Sequence, residues 1–349
     1  MPAPYRIETI MLNFNQLKSL KEVGTPEINF AITKLPDRDA VVVGNSAGQL
    51  VEFDLSVDKP QPRSFQTAHT SYVTGVVSSQ GGLVSGSYDR KLIWWDPLER
   101  TVLREIAAHD KWIRQIVSNP DGSLIASVGD DMHCKVWDAV TGELRFVLDD
   151  HAAITPQHYP SMLFTVAFSP DGRLLATGDK VGHVAIWDFV EGRKIGAVES
   201  PGMYTWDPRA RRHSIGGVRS VAFSRDGQTL AVGGIGAIGN VDHLDGPARV
   251  ELFDWRNSLS IAELTDTAMK GLVEQLWFSP GDTHLVTAGG DNNGFITIYD
   301  LATRKVAKQE KAHQHLHGLA VDEASGKFYS AHHGRVVTWN IRDEQPQST

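Results

Sequence analysis

Residues 109–138 carry the pattern that decides the fold, and they read HDKWIRQIVSNPDGSLIASVGDDMHCKVWD. Short runs rich in β-branched and apolar residues, such as 124–127 and 134–137, predict strands. The tetrapeptide Asn-Pro-Asp-Gly at 119–122 favours a hairpin turn, because proline and Asp-Gly suit the backbone dihedrals that such a turn requires. The stretch ends on Trp137 followed by Asp138. It therefore predicts a small antiparallel sheet with an aromatic–acid pair at the end of its third strand.

The aromatic–acid pair recurs along the whole chain. An aromatic residue followed by Asp or Asn closes seven comparable segments: Phe53-Asp54, Trp95-Asp96, Trp137-Asp138, Trp187-Asp188, Phe253-Asp254, Tyr299-Asp300 and Trp339-Asn340. Successive pairs lie 40 to 66 residues apart. A recurring period of this length indicates a repeat architecture in which each unit is one supersecondary motif.

This pattern resembles the WD40 repeat, whose unit is the four-stranded blade of a β-propeller. Several units also open with a histidine fourteen residues after the aromatic residue, as at His109, His151 and His313. The resemblance implies an all-β fold, a single seven-bladed WD40-type β-propeller. The last repeat lacks an outer strand, and residues 17–23 resemble one, so we expect the N-terminal strand to close the ring and remove its exposed edges. The expected divisions are a lead at 1–15, the propeller at 16–342 and a polar C-terminal tail at 343–349.

The resemblance assigns a structural hydrogen-bond network to two repeats. In WD40 proteins it runs from indole to hydroxyl to imidazole to carboxylate, and the matching residues here are His69, Ser85, Asp89, Trp95, His109, Ser127, Asp131 and Trp137. Because the sets recur at blade positions, we interpret them as structural and expect no catalytic residues. Other repeats look degenerate: Val181 stands at the Asp position of the fourth, and Gly24 at the His position of the first. Those blades are expected to depend more on apolar packing.

Three segments are longer than the repeat requires, at 152–162, 201–212 and 235–248. Two join an outer strand to the next inner strand, and the third joins the second and third strands of blade 5. In a propeller both kinds of connection emerge on the same face, the top face. Loops on a rigid scaffold are where binding residues concentrate. We therefore expect the docking surface on the top face over blades 2–5.

Aromatic and arginine residues on this face are the candidate partner-binding residues, because they dominate interface hot spots. Together with one threonine at a strand start, they are Tyr72, Thr74, Trp112, Arg114, Tyr204, Trp206, Arg209, Arg211 and Arg212. Trp112 is the strongest candidate, since the repeat gives it no core role. For Tyr204 and Trp206 a second interpretation is open, namely that they only pack the long loop onto the propeller.

Two other chemical signals compete with this reading. Residues 234–239 match the dinucleotide motif G-x-G-x-x-G, but the residues after them, 240–247, make a poor helix for a pyrophosphate. His313, His315 and His317 alternate and could offer metal ligands together with His332 and His333. No Asp or Glu completes an obvious set in the sequence. We therefore predict no metal and no cofactor.

Composition narrows the function classes. The formal net charge of −8 argues against a broad nucleic-acid surface. The single cysteine suits a reducing compartment, and no apolar run or leader pattern indicates a membrane span or secretion. The prediction is a cytoplasmic, non-catalytic scaffold that presents its top face to a protein or peptide partner of unknown identity, without nucleic acid or membrane. The alternative is a small-molecule- or metal-binding propeller enzyme that uses the top-face channel mouth.

Overall fold

The structure is a computed structural model, and it describes residues 12–342. Within this range it contains strands and three short 3-10 helices, at Phe14–Gln16, Pro201–Met203 and Pro280–Asp282. In chain order the strands are β1 (Lys18–Lys34), β2 (Ala40–Asn45), β3 (Leu50–Asp54), β4 (Pro62–Ser64), β5 (Val73–Ser79), β6 (Gly82–Ser87), β7 (Lys91–Trp95), β8 (Val102–Ala107), β9 (Ile113–Ser118), β10 (Leu124–Gly129), β11 (Cys134–Asp138), β12 (Leu144–Leu148), β13 (Leu163–Phe168), β14 (Leu174–Asp179), β15 (His183–Asp188), β16 (Arg193–Glu199), β17 (Tyr204–Asp207), β18 (His213–Gly216), β19 (Ser220–Phe223), β20 (Thr229–Ile235), β21 (Pro247–Asp254), β22 (Leu259–Lys270), β23 (Leu272–Phe278), β24 (His284–Gly290), β25 (Gly294–Asp300), β26 (Lys305–Ala312), β27 (Leu316–Asp322) and β28 (Lys327–Asn340).

Most strands form four-stranded antiparallel sheets, which are the blades. Blades 2 to 6 are β5–β8, β9–β12, β13–β16, β19–β22 and β23–β26, and a separate two-stranded hairpin pairs β17 with β18. The seven inner strands contact each other in a closed ring, in the order β1, β5, β9, β13, β19, β23, β27 and back to β1. The fold is therefore the β-propeller that the repeats predicted.

Blades 7 and 1 are joined into one six-stranded sheet, so that six large sheets make up the ring. The first part of β1 pairs with β28 from Lys18↔Asn340 to Gly24↔Arg335, and its second part pairs with β2. The long strand β28 likewise pairs with β27 through its first half. Counted by inner strands, the ring has seven blades. The N-terminal strand is the outer strand of blade 7, which confirms the expected closure.

The hydrophobic core lies between neighbouring blades. Between blades 2 and 3, for example, Trp94 packs in one buried cluster with Ile113, Ile125 and Trp137. Burying a large apolar side chain contributes roughly 1.5–3 kcal/mol, so every interface between blades adds to the stability of the ring. The ends of the described range join this core, because the buried Phe14 packs in a cluster with Trp339. Residues 1–11 of the expected lead and the expected tail at 343–349 lie outside the described residues.

The polar networks of blades 2 and 3 lie inside these sheets. In blade 3, Trp137 Nε1 donates to Ser127 Oγ at 2.9 Å, Ser127 bonds His109 Nε2 at 2.8 Å, and His109 Nδ1 donates to Asp131 at 2.9 Å. Blade 2 has the same chain of contacts, listed from the indole as Trp95, Ser85, His69 and Asp89. The order of donors and acceptors leaves each buried polar group with a partner.

Blade 4 contradicts the expectation that its network is degenerate and that it depends more on apolar packing. Its network is complete: Trp187 Nε1 donates to Thr177 Oγ1 at 3.0 Å, Thr177 bonds His151 Nε2 at 2.8 Å, and His151 Nδ1 donates to Asp179 Oδ2 at 3.0 Å. The carboxylate comes from the last residue of β14, two positions before Val181. The repeat spacing missed Asp179 because it marks only one chain position for the acid. The imidazole requires a carboxylate at a given point in space, and in blade 4 a residue two positions earlier supplies it.

Blade 7 has a variant of the same network. Trp339 Nε1 donates to Ser330 Oγ at 2.7 Å, Ser330 bonds His332 Nε2 at 2.7 Å, and His332 Nδ1 donates to the carbonyl of Gln314 at 3.1 Å. Burial lowers the pKa of His332 to about 4, so the ring is neutral. His313, which the repeat spacing placed in the structural position, is exposed instead. The imidazole of this blade therefore comes from within β28.

The glycine motif at 234–239 is not followed by a helix. Ile235 ends β20, and residues 236–246 form an irregular loop before β21. The helix N-terminus that would meet a pyrophosphate is missing at this point of the described chain.

Among residues 12–342, no helix has the length and apolar character needed to cross a membrane.

Candidate functional site

The top face of the propeller, where the inner strands begin, surrounds the mouth of a central cavity of about 350 Å³. Each blade contributes a side chain to its lining from the same position, near the start of its inner strand. In blade order these are Phe30, Thr74, Arg114, Phe164, Arg219, Glu274 and His317. The lining therefore combines aromatic groups, two guanidinium groups, one carboxylate and one imidazole.

Arg114 is held in place by its neighbours on this ring. Its Nε and Nη2 donate to the two carboxylate oxygens of Asp130 at 2.6 and 2.7 Å, and its Nη1 donates to the hydroxyl of Tyr88 at 2.6 Å. Burial opposes the charge, but the hydrogen bond to Asp130 and the contact with Tyr88 outweigh it and raise the pKa of Arg114. Most of its donors are thus occupied, so Arg114 positions its neighbours.

An arc of stacked aromatic rings follows the mouth from blade 1 to blade 3, and we call Phe30, Tyr72, Tyr88 and Trp112 the aromatic arc. Ring centroids lie 5.2 Å apart for Phe30 and Tyr72, 5.6 Å for Tyr72 and Tyr88, and 4.5 Å for Tyr88 and Trp112. Trp112 and Tyr88 are almost parallel, and the Arg114 guanidinium lies 5.3 Å from the Trp112 ring.

Two members of the aromatic arc remain open to solvent. Trp112 is 50% exposed and Tyr72 is 44% exposed. The stacking on Tyr88 and the cation–π contact with Arg114 restrain the Trp112 ring although half of it faces water. Thr74 has a different role, since its hydroxyl donates to the carbonyl of Ile113 at 2.7 Å and links blade 2 to blade 3.

The three long insertions meet and form one unit, which we call the insert cluster (residues 152–162, 201–212 and 236–246). The hydroxyl of Tyr204 in the second insertion bonds Thr155 in the first at 3.1 Å. The backbone N–H of Ile238 in the third insertion donates to Thr205 in the second at 3.3 Å. The cluster reaches the channel mouth through Met162, whose sulfur lies 3.5 Å from Arg114 Nη2. All three insertions therefore lie on one face.

Within the insert cluster, the two candidate aromatic residues have different surroundings. Tyr204 is buried and packs the loop, whereas Trp206 stacks on it with ring centroids 5.6 Å apart and is 45% exposed. The candidate arginines Arg209, Arg211 and Arg212 are all exposed, and Arg211 forms an ion pair with Asp242 at 2.7 Å. The cluster thus presents one restrained indole ring beside basic side chains.

Several lining residues were not candidates at the level of the sequence. Arg219 lies deep in the channel, with its guanidinium carbon 3.6 Å from the centre of the Phe164 ring. Burial lowers the pKa of Arg219 to about 10, although Glu274 acts in the opposite direction. Phe164, Arg219 and Glu274 occupy, in blades 4, 5 and 6, the strand-start position that Thr74 and Arg114 hold in blades 2 and 3. Applying the same position to every blade would have identified these three residues from the sequence.

A cluster of histidines continues the lining at blade 7. His317 stacks on His315 with ring centroids 4.1 Å apart, and it contacts Phe30 in a tilted arrangement at 5.0 Å. Glu274 Oε2 accepts a hydrogen bond from His317 Nδ1 at 2.8 Å, and Glu274 Oε1 lies 3.3 Å from His315 Nε2. Burial opposes ionisation of Glu274, but His315 and His317 outweigh it and keep the pKa of this carboxyl below its ordinary value. The sequence pattern could not show this carboxylate, because it comes from another blade.

Comparisons with known proteins agree with the fold. The WD40 family model, described as "WD domain, G-beta repeat", matches residues 60–96, 100–138, 145–188 and 209–236. These segments cover strands of blades 1 to 5.

Similar regions occur in several curated proteins. The chain is 37% identical over 65 residues to Nuclear distribution protein PAC1 of Arthroderma otae, a match that covers 19% of this chain and 14% of that protein. It is 32% identical over 90 residues to Small ribosomal subunit protein RACK1y of Oryza sativa subsp. japonica, covering 25% and 27%. It is 29% identical over 133 residues to Cilia- and flagella-associated protein 52 of Homo sapiens, covering 36% and 20%. Since the matches span between 14% and 27% of these relatives, they bear on the repeats and not on the whole proteins. Four stretches of this chain are therefore WD40 repeats, and its blades form the closed ring of a β-propeller.

Proposed function

We propose that this protein is a non-catalytic scaffold that docks a protein or peptide partner on its top face. The observation that carries the proposal is Trp112, which is half exposed yet held by Tyr88 on one side and by Arg114 on the other. A large aromatic ring that is already ordered and still faces water is typical of an interface hot spot. The relatives that share its repeats include one named as a protein of the small ribosomal subunit, an assembly of many chains.

The proposed mechanism is preorganisation. The candidate contacts Tyr72, Trp112 and Trp206 each stack on a neighbouring ring, so little side-chain entropy remains to be lost when a partner binds. The insert cluster adds Arg209, Arg211 and Arg212 at its edge, where they can meet carboxylates of the partner. The net charge of −8 favours a protein partner over nucleic acid, and a cytoplasmic location fits the single buried thiol of Cys134.

The experiment compares partner capture by matched single variants. Trp112→Ala and Trp206→Ala each remove an exposed ring from the top face, and we expect each to weaken capture by about 30-fold, the effect of a hot spot worth about 2 kcal/mol. Leu98→Ala is the control, since Leu98 is even more exposed than the two tryptophans but lies in the turn between the third and outer strands of blade 2, on the opposite face. Quantitative mass spectrometry of affinity-captured proteins reads the result.

Two outcomes would contradict the proposal. Equal capture by the wild type and by both tryptophan variants would show that the top face is not the docking surface. A loss of fold in Trp112→Ala or Trp206→Ala, seen as a lowered Tm, would give that ring a structural role instead.

One alternative has an observation in its favour. The cavity places a carboxylate, Glu274, in hydrogen-bond contact with His317, which is a pair able to exchange a proton with a small molecule in the channel. An enzyme or small-molecule-binding protein that uses this mouth would therefore depend on Glu274 and not on Trp206. Comparing Glu274→Gln with Trp206→Ala in ligand screening and in partner capture separates the two functions.

A further inference from the structure

Five histidines lie close together in the last fifth of the sequence, and the structure places them in three different surroundings. His313 is exposed on its own, and His332 belongs to the buried network of blade 7. The other three, His315, His317 and His333, converge on the channel wall. Each offers one ring nitrogen, and these nitrogens all lie within 4.8 Å of one another. We call these three residues the histidine cluster.

The backbone holds the cluster from two adjacent strands. His315 and His317 flank Leu316, the first residue of β27, and alternate so that their rings lie on the same side. His333 lies on β28, and the residue before it, His332, pairs with Leu316. A metal site built on paired strands keeps its ligand positions better than one built on loops.

A carboxylate from the next blade orients the cluster. Glu274, on β23, accepts a hydrogen bond from His317 Nδ1 at 2.8 Å, and its other oxygen lies 3.3 Å from His315 Nε2. Because Nδ1 is directed at Glu274, Nε2 is the ring nitrogen of His317 that faces His333. This is the arrangement in which a carboxylate orients a metal-binding imidazole and raises its basicity.

Two ring nitrogens of the cluster share a single hydrogen bond. His317 Nε2 and His333 Nε2 face each other at 2.9 Å, a separation that also suits two ligands on one ion. His315 Nε2 is buried, and its 3.3 Å contact with Glu274 Oε1 lacks the geometry of a hydrogen bond. An unsatisfied buried nitrogen costs free energy, and a bound cation would remove that cost.

We propose that His315, His317, His333 and Glu274 form a binding site for a divalent transition-metal ion. Three imidazoles, one of them oriented by a carboxylate, suit Zn²⁺ and its neighbours in the transition series. The rings of His315 and His317 stack with an interplanar angle of 18°, so metal binding rotates these rings until their lone pairs converge. The cavity that Glu274 and His317 line gives the ion its route from the top face.

The test uses full-length protein without a histidine tag and Zn²⁺ or Co²⁺ alone. Isothermal titration with Zn²⁺ is expected to show about one ion per chain, and Co²⁺ is expected to give the visible absorption of a low-coordinate nitrogen–oxygen site. His317→Ala and His333→Ala should each weaken Zn²⁺ binding by more than about 10-fold, and Glu274→Gln should weaken it by about 10- to 100-fold, the usual effect of losing an orienting carboxylate.

His313→Ala is the matched control, because it removes an exposed histidine two residues from the cluster and should leave binding unchanged. Circular dichroism of each variant shows whether it is folded, and Glu274→Gln, which keeps the side-chain volume, serves where an alanine variant unfolds. The absence of stoichiometric binding to the folded wild type would overturn the proposal. So would a loss in His313→Ala equal to that in His317→Ala, since it would indicate a general surface affinity. Because the readout is metal binding alone, its failure would leave the proposed docking function untouched.

Discussion

Replacing Asp179 with alanine should destabilise the protein as strongly as a change in a regular WD40 network, although the repeat spacing does not mark this position. Its side chain is 2% exposed. One oxygen accepts the proton of His151 Nδ1, and the other accepts the backbone N–H groups of Val181 and His183, each at 3.0 Å. Alanine would leave these three donors without their acceptor.

The magnitude follows from those three donors. A buried donor that loses its acceptor costs about 1–3 kcal/mol, and the two backbone groups belong to a turn that water partly reaches, so we expect a total of about 3–5 kcal/mol. With an unfolding entropy of about 2.1 cal/mol/K per residue, a chain of 349 residues would then lose about 4–7 °C in Tm. Asp179→Asn keeps the shape and one acceptor oxygen, and should lie between alanine and the wild type.

Thermal and urea unfolding followed by tryptophan fluorescence measures the effect, since the network includes the indole of Trp187. Val181→Ala is the control, because Val181 holds the position where the repeat spacing would place the acid; it should cost less than about 1 kcal/mol. Asp131→Ala, from the regular network of blade 3, supplies the reference for a full loss. If Asp179→Ala unfolds at the temperature of Val181→Ala, the carboxylate does not support blade 4 and the reasoning is refuted.

Two further predictions concern acid stability and ring closure. Burial opposes ionisation of Asp131, but its hydrogen bond with His109 outweighs this and lowers the carboxyl pKa to about 2. Because the unfolded pKa is near 3.9, this ion contributes about 2 kcal/mol that is present above about pH 4 and lost as the pH falls through about 2. Urea unfolding across that range should show the decline, and Asp131→Asn should flatten it; parallel curves for the two proteins would contradict the assignment. Deleting residues 1–23 removes most of the strand that pairs with β28, so we expect a lower Tm and concentration-dependent association through the exposed edge. Deleting only residues 1–11 leaves every described contact in place, and equal behaviour of the two truncations in gel filtration would show that the strand does not close the ring.

The repeat pattern was sufficient for the fold because each blade is a local unit. Strands of one blade lie next to each other in the sequence, so alternating apolar residues, turn residues and the aromatic–acid pair report directly on their pairing. The closing strand was also readable, since the last repeat is visibly short of one strand and residues 17–23 supply it. Blade 4 shows where fixed spacing fails, because its imidazole bonds Asp179, which lies two positions before the residue that the spacing marks.

The residues of the candidate site could be predicted only in part from the sequence. Tyr72, Thr74, Trp112 and Arg114 follow from one position in two adjacent repeats, and the structure indeed brings them to the channel mouth. Arg219 occupies the same position in blade 5, whose start follows a long insertion, and Glu274 occupies it in blade 6. In the insert cluster, Tyr204 packs inward and Trp206 faces water. This difference depends on contacts between segments far apart in the chain, such as the one between Tyr204 and Thr155.

The sequence by itself determined the propeller, the blades with complete networks at regular spacing, and the face from which the long insertions leave, because all of these depend on neighbours within about 40 residues, the length of a repeat. Only the tertiary structure decided which side chains share the channel. Closing the ring brings Glu274 of blade 6 against His315 and His317 of blade 7, and brings the ring of Phe30 of blade 1 into contact with His317. Such contacts arise from the radial packing of separate sheets, and no periodicity along the chain encodes the distance between them.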